Sequence, residues 1–212
     1  MLKNGVKGLF FSKLIMNSSP TKKIAYVAVL TALCVVCNMF FEFKFADVQF
    51  SLTIAVSALA GVLLGSAFGF VACFMGDLVG FLYNSGGFAY MPWIGIAMGI
   101  VAFIFGVFVN GFNFKFKGGV YILIAISCVL TFIICTVAIN TTAFWILYNT
   151  KAVPYFSYLA IRLFASGQIW NSLFNYALCF AFIPLIFRIK FFGGESISQE
   201  NENQTIDENV KE

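Results

Sequence analysis

Along most of the chain, apolar positions run on without the one-sided periodicity of a soluble helix. Stretches such as Ser51 to Ala72 and Gly119 to Ile139 are apolar on nearly every face, a pattern that suits hydrocarbon rather than a surface shared with water. A bilayer core of roughly 30 Å asks for about 20 apolar residues per helix, and fewer where neighbours shield it. On that measure the sequence predicts six spans: Ile24 to Phe41, Phe50 to Leu64, Ala67 to Tyr83, Trp93 to Asn110, Val120 to Leu147 and Ile169 to Phe187. The second and third are joined through Gly65 and Ser66. The expected fold is an all-α integral membrane protein, a six transmembrane helix bundle over residues 24–190. A basic segment, 1–23, precedes it, and an acidic, disordered tail, 191–212, follows.

Basic residues near a span resist translocation and so set its orientation. With an even span count both termini share one side, and that side carries Lys3, Lys7, Lys13, Lys22, Lys23, Lys115, Lys117, Arg188, Lys190 and Lys211. Only Lys44, Lys151 and Arg162 fall on the other. Both termini are therefore expected in the cytoplasm (N-in/C-in), in the cell membrane of a bacterium. The outer side then receives the longer and chemically richer connections, Glu42 to Gln49, Asn84 to Pro92 and Tyr148 to Gln168. A binding site opening outward is the expectation. The third of these connections reads either as a lid or as an interfacial helix with an aromatic belt.

Composition narrows the chemistry. Of 212 residues, 61% are hydrophobic, 10% are charged and none is histidine, and the mean hydropathy is +0.93. The commonest general base and nitrogen ligand are thus missing, so no enzymatic activity, metal site or cofactor is expected. The six cysteines lie inside apolar runs and read as small hydrophobes, including the Cys34-x-x-Cys37 pair. There is no G-x-x-x-x-G-K-[ST] loop, so any ATP would be used by partners.

A few residues stand out as candidate ligand contacts. Asp77 is the sole acid or base within a predicted span, and a mid-membrane charge must face protein, water or a ligand. It could bind substrate or tie two helices together. Asn140, with Thr141 and Thr142, lies near the end of the fifth span, where Trp145 and Tyr148 could stack on a flat ligand or serve as belt residues. Arg162 offers forked donors to a carboxylate, although an acidic side chain or lipid phosphate would suit it equally. Asn84, Tyr90 and Trp93 bracket a glycine-containing aromatic loop, and Tyr155 heads the third outer connection. Glycines recur at four-residue spacing at Gly61, Gly65 and Gly69, at Gly76 and Gly80, and at Gly95 and Gly99. Ala28 and Ala32 repeat that spacing, with Ala25 a turn earlier. Such strips serve internal helix packing or the docking of another membrane subunit.

Together these features resemble the substrate-binding S component of energy-coupling factor (ECF) transporters. The resemblance spans nearly all of Ile24 to Lys190. It is carried by Ala28-x-x-x-Ala32, by A-G-V-L-L-G at Ala60 to Gly65, by G-D-L-V-G at Gly76 to Gly80 and by the aromatic loop that follows. The stretch N-T-T-A-F-W-I-L-Y from Asn140 to Tyr148, with Arg162 beyond it, is similar to the folate-specific branch. The branch's Lys-Asn pair after the arginine is replaced by Ala165 and Ser166, and Pro154 lies farther ahead of Arg162 than the pattern prefers. Pantothenate, a queuosine precursor and thiamin therefore stand as alternative cargoes.

The resemblance implies a subunit that captures a vitamin and passes it on by associating with a membrane coupling subunit and two ATPase subunits. The Ala25, Ala28 and Ala32 strip would be the docking face. On this expectation Asp77, Asn84, Tyr90, Trp93, Asn140, Trp145, Tyr155 and Arg162 line the substrate site. Two other readings differ in class. A small membrane enzyme would need more acids or histidines than the spans hold, and an ion-coupled transporter commonly has paired repeats and broken helices.

Overall fold

The structure is a computed structural model and describes residues 5–40, 42–45, 48–83, 90–112, 118–149 and 153–188. Short helices α1 (Gly5–Phe10) and α2 (Lys13–Met16) lead into α3 (Pro20–Phe40), a hairpin of β1 (Glu42–Phe45) and β2 (Val48–Ser51), α4 (Thr53–Leu64) and α5 (Ser66–Tyr83). Next comes α6 (Pro92–Phe105), which continues as a π-helical segment, Gly106–Asn110. The longest helical stretch begins as α7 (Gly119–Thr131), widens to π-helix over Phe132–Thr141, tightens for one α turn at α8 (Thr142–Phe144) and widens again over Trp145–Asn149. A shorter helix, α9 (Tyr155–Ala160) with its π-helical continuation Ile161–Ala165, precedes α10 (Gln168–Arg188).

Among the described residues, five helices are long and apolar enough to cross a membrane: Pro20–Phe40, Ser66–Tyr83, Pro92–Asn110, Gly119–Leu147 and Gln168–Phe187. Helix α4 is different. Its 12 residues extend only about 18 Å at 1.5 Å per residue, too little for a full span. It is also buried almost throughout, packed against α3, α5, α6 and α10.

A short helix that ends inside a bundle leaves backbone groups that no water can satisfy, and other segments supply the missing partners. At its C-terminal end, Asn110 Nδ2 donates to Val62 O at 2.9 Å and Ser12 Oγ donates to Leu63 O at 2.5 Å. At the other end, Asn175 Oδ1 accepts from Ala55 N at 3.0 Å and Asn171 Oδ1 accepts from Ser51 N at 3.0 Å. Asn175 Nδ2 also donates to Ser51 O at 2.6 Å. Asn175 is fully buried, so its amide joins α10, β2 and α4 in one knot.

Close helix approach rests on missing side chains. A Cβ at Gly76 would lie 2.6 Å from the Cys34 Cβ, so α5 can pack on α3 only with glycine there. The sharp turn from α4 into α5 uses Gly65 at φ +91°, which favours glycine. The glycine strips on α4, α5 and α6 are thus consumed within the bundle. Ala25, Ala28 and Ala32, by contrast, are exposed on α3.

Two expected connections and the leading segment take a different form. Within Glu42 to Gln49, expected as a loop, strand β1 pairs antiparallel with β2, Glu42 with Ser51 and Phe45 with Val48, and the second helix starts at Thr53 rather than Phe50. The apolar-polar alternation from Phe43 to Phe45 is the period-2 signature of that strand. Part of the basic leading segment folds as α1 and α2 and seals the α4–α5 corner, with Ile15 buried and Ser66 Oγ donating to Leu9 O at 2.6 Å. Between α7 and α10 the third connection contains a helix, Tyr155–Ala165. Asn84 and the tail 191–212 lie outside the described residues.

The amide knot can be tested directly. Replacing Asn175 with leucine leaves the buried Ala55 N–H and Ser51 C=O without these partners and should cost roughly 2–3 kcal/mol of stability. Thermal unfolding in detergent measures it, and an unchanged midpoint would show that the knot contributes nothing.

Candidate functional site

The hairpin end and the α4 N-terminus form the floor of a cavity of about 360 Å³, within the roughly 300–1,000 Å³ range of small-molecule sites. Ser51, Thr53 and Ile54 contribute there, and α3, α5, α6, the π-helical stretch after α7, the continuation of α9 and α10 close the sides. Three of the expected residues line this space. Asp77 comes from α5, Asn140 from the π-helical stretch and Arg162 from the continuation of α9, so segments far apart in sequence converge on one chamber.

Asp77 is held in place by its neighbours. Tyr90, just ahead of α6, donates its hydroxyl to Asp77 Oδ2 at 3.2 Å, and its ring packs on Phe81 with centroids 5.1 Å apart. A Cβ at Gly95 would stand 2.8 Å from the Tyr90 hydroxyl and 2.9 Å from Asp77 Oδ2, so glycine makes room for the pair. Burial, and next the adjacent Asp77 charge, push the Tyr90 phenol up to about 12. The phenol therefore stays protonated and able to donate well above neutral pH.

The π-helical stretch sets the opposite wall. Its sequence, F-I-I-C-T-V-A-I-N-T, is rich in β-branched residues, and Thr141 Oγ1 donates to Thr136 O five residues back at 2.7 Å. A hydroxyl that competes for a backbone carbonyl loosens a helix. π-Helical turns are rare and concentrate at functional sites. Asn140 Oδ1 and Thr131 Oγ1 are buried here without a hydrogen-bond partner. Both residues line the cavity, where a ligand or water can complete them.

Arg162 lies with its guanidinium carbon 4.1 Å from the centroid of the Phe144 ring, while its Nε is buried and unpartnered. Burial lowers its pKa, opposed by a hydrogen bond to Tyr158, but a guanidinium stays charged in proteins. Trp93 stands edge-on to Phe144, 6.4 Å between centroids, and its indole N–H is also buried and unpartnered.

Trp145 and Tyr155 are placed otherwise. Trp145 Nε1 donates to Val153 O at 3.1 Å, and the Tyr155 hydroxyl lies 3.1 Å from Thr142 Oγ1. Their rings meet edge to face at 5.7 Å. The pair clasps the start of α9 to the long helix and is not among the residues lining the cavity. Lining residues that sequence reasoning passed over include Asn38, Thr53, Thr131, Thr136 and Asn171. Each is an uncharged polar residue in or beside an apolar run, and polarity inside a span is the signal that would have found them.

A membrane helical bundle enclosing a polar chamber defines an integral-membrane protein built to hold a small molecule. The ECF-type riboflavin transporter S component family matches residues 18–186 of the chain, and the chain belongs to that family. It is accordingly a transporter subunit and not an enzyme. A crystal structure of FolT bound with folic acid shares the fold, with a TM-score of 0.57 at 22% identity over 76% of this chain and 95% of that one. Among curated proteins none matches the chain.

The Tyr90 proton gives a pH test. The folded protein keeps it up to about pH 12, whereas an unfolded tyrosine loses it near pH 10. Stability should therefore fall across that window, because the folded state binds more protons than the unfolded one. The fall should be shallower in Tyr90→Phe. Alkaline melting curves that superimpose for the two proteins would refute the Tyr90–Asp77 coupling.

Proposed function

We propose that the chain is the substrate-capture subunit of an ECF-type vitamin transporter, taking folate or a close relative into the cavity above α4. Both termini lie in the cytoplasm, α4 counts as the sixth membrane segment, and the protein resides in the cell membrane of a bacterium. The captured vitamin passes on when a membrane coupling subunit with two ATPase subunits associates with the exposed Ala25, Ala28 and Ala32 face of α3. Asn84, outside the described residues, belongs to the proposed site as part of the loop ahead of Tyr90.

One observation carries this reading: a carboxylate, an unpaired amide oxygen and a buried guanidinium, from Asp77, Asn140 and Arg162, meet in one chamber. The amino-oxo edge of a pterin presents adjacent N–H donors that a carboxylate such as Asp77 accepts in parallel. The glutamate end presents a carboxylate that suits an arginine fork. Trp93 and Tyr90 sit beside this chamber, while Trp145 and Tyr155 support it through α9.

A second reading is riboflavin, favoured by the name of the matching family. Its imide N–H and carbonyls would also suit Asp77 and Asn140. It has no carboxylate for Arg162, which is why folate ranks first.

Calorimetry on purified protein separates the two. Folic acid should bind, and Asp77→Asn should weaken it by roughly 10–100-fold, the value of a charge-assisted hydrogen bond. Binding of riboflavin without folic acid would reassign the cargo, and binding of neither would overturn both readings. Docking has its own test. Ala28→Trp should leave ligand affinity intact yet abolish uptake in cells carrying the coupling and ATPase subunits. Undiminished uptake would remove α3 as the docking face.

A further inference from the structure

Arg162 is supported by an aromatic face. Among the described residues it meets Tyr158 and Phe144 and forms no ion pair, and its Cζ sits 4.1 Å above the Phe144 centroid. A guanidinium lying over a ring is held by its face, which leaves the N–H donors along its edge available to a ligand. Phe144 itself lines the cavity beside Arg162. It belongs to the single α turn, Thr142–Phe144, between two π-helical stretches. Each extra residue accommodated by π-helix rotates everything beyond it by about 100°, so the preceding π-helical stretch helps set the direction in which Phe144 points. Trp93 then packs edge-on at 88° and fixes the ring plane. The Trp93 Nε1 and Arg162 Nε donors, both buried and unpartnered, flank the same ring.

We infer that Phe144 is a positioning and specificity residue: it orients Arg162 for an oxyanion, so the cavity selects ligands that end in a carboxylate or phosphate over their neutral counterparts. This rests on the capture reading above but not on the choice of vitamin. A merely structural Phe144 would weaken charged and neutral ligands alike. A positioning role changes the ratio between them.

The experiment measures dissociation constants of the purified full-length protein for two matched pairs: folic acid with its dimethyl ester, and flavin mononucleotide with riboflavin. Wild-type protein should prefer the anionic member of the pair that it binds. Phe144→Leu should reduce that preference by roughly tenfold, the scale of a desolvated cation–π contact, because the anionic member loses more affinity than the neutral one. Phe144→Tyr, which keeps the ring, should restore it. An equal loss for both members, or a preference unchanged in Phe144→Leu, overturns the role of Phe144. Wild-type protein that binds neither pair, or shows no preference, overturns the oxyanion subsite altogether. If only the flavin pair binds, the folate reading fails, and the preference within that pair decides the role of Phe144 by the same criterion.

Discussion

The structure turns on a helix too short for its surroundings. Helix α4 ends inside the bundle at both extremities, and in a membrane its terminal backbone groups have no solvent to turn to. The fold answers with side chains from remote segments: Asn110 and Ser12 at one end, Asn171 and Asn175 near the other. That arrangement also explains the cavity. Where α4 stops, the neighbouring helices continue, and the space above Thr53 and Ile54 is left to be walled by α5, α6, the π-helical stretch and α10. The chamber and the capping network follow from the same shortfall in length.

Within the chamber, polar groups fall into two kinds. Asp77 has a partner inside the protein, the Tyr90 hydroxyl, which fixes its carboxylate. Asn140 Oδ1, Thr131 Oγ1 and Arg162 Nε are buried without hydrogen-bond partners. An unsatisfied buried polar atom costs on the order of 1–3 kcal/mol. A bundle that carries several of them around one cavity is arranged for something to enter.

Much of this was legible in the sequence, for a physical reason. Hydrocarbon demands long apolar runs, so the helix positions follow from hydropathy, and the cost of a mid-membrane charge singled out Asp77. Asn140, marked by its place at a span end beside aromatic residues, and Arg162, marked by its forked donors, line the same cavity. The rest depends on contacts that no local pattern records. Asn175 bonds Ala55 across 120 residues, and nothing around it in an apolar helix announces that role. Likewise Trp145 and Tyr155 look like stacking residues in the sequence, and only their hydrogen bonds assign them to holding α9. The hairpin did leave a trace, the alternation around Lys44, but the eye drawn to its charges reads it as a loop.

Helix α3 joins the two halves of the proposed cycle. One face packs into α5 through the Cys34–Gly76 contact, where Gly76 has no side chain to hold the helices apart. Its far end contributes Asn38 and Met39 to the cavity wall, while Ala25, Ala28 and Ala32 remain exposed nearer its start. From Ala25 to Asn38 is about 20 Å along a single rigid helix. A helix moves as a body where its packed interface resists gradual deformation. A subunit bound to the alanine face and a ligand bound against Asn38 would therefore act on the same element, so that displacement of α3 at one end is felt at the other. Small residues would then serve two purposes on this helix and its neighbour: glycine on α5 lets α3 pack inward, and alanine on α3 would offer the proposed docking face.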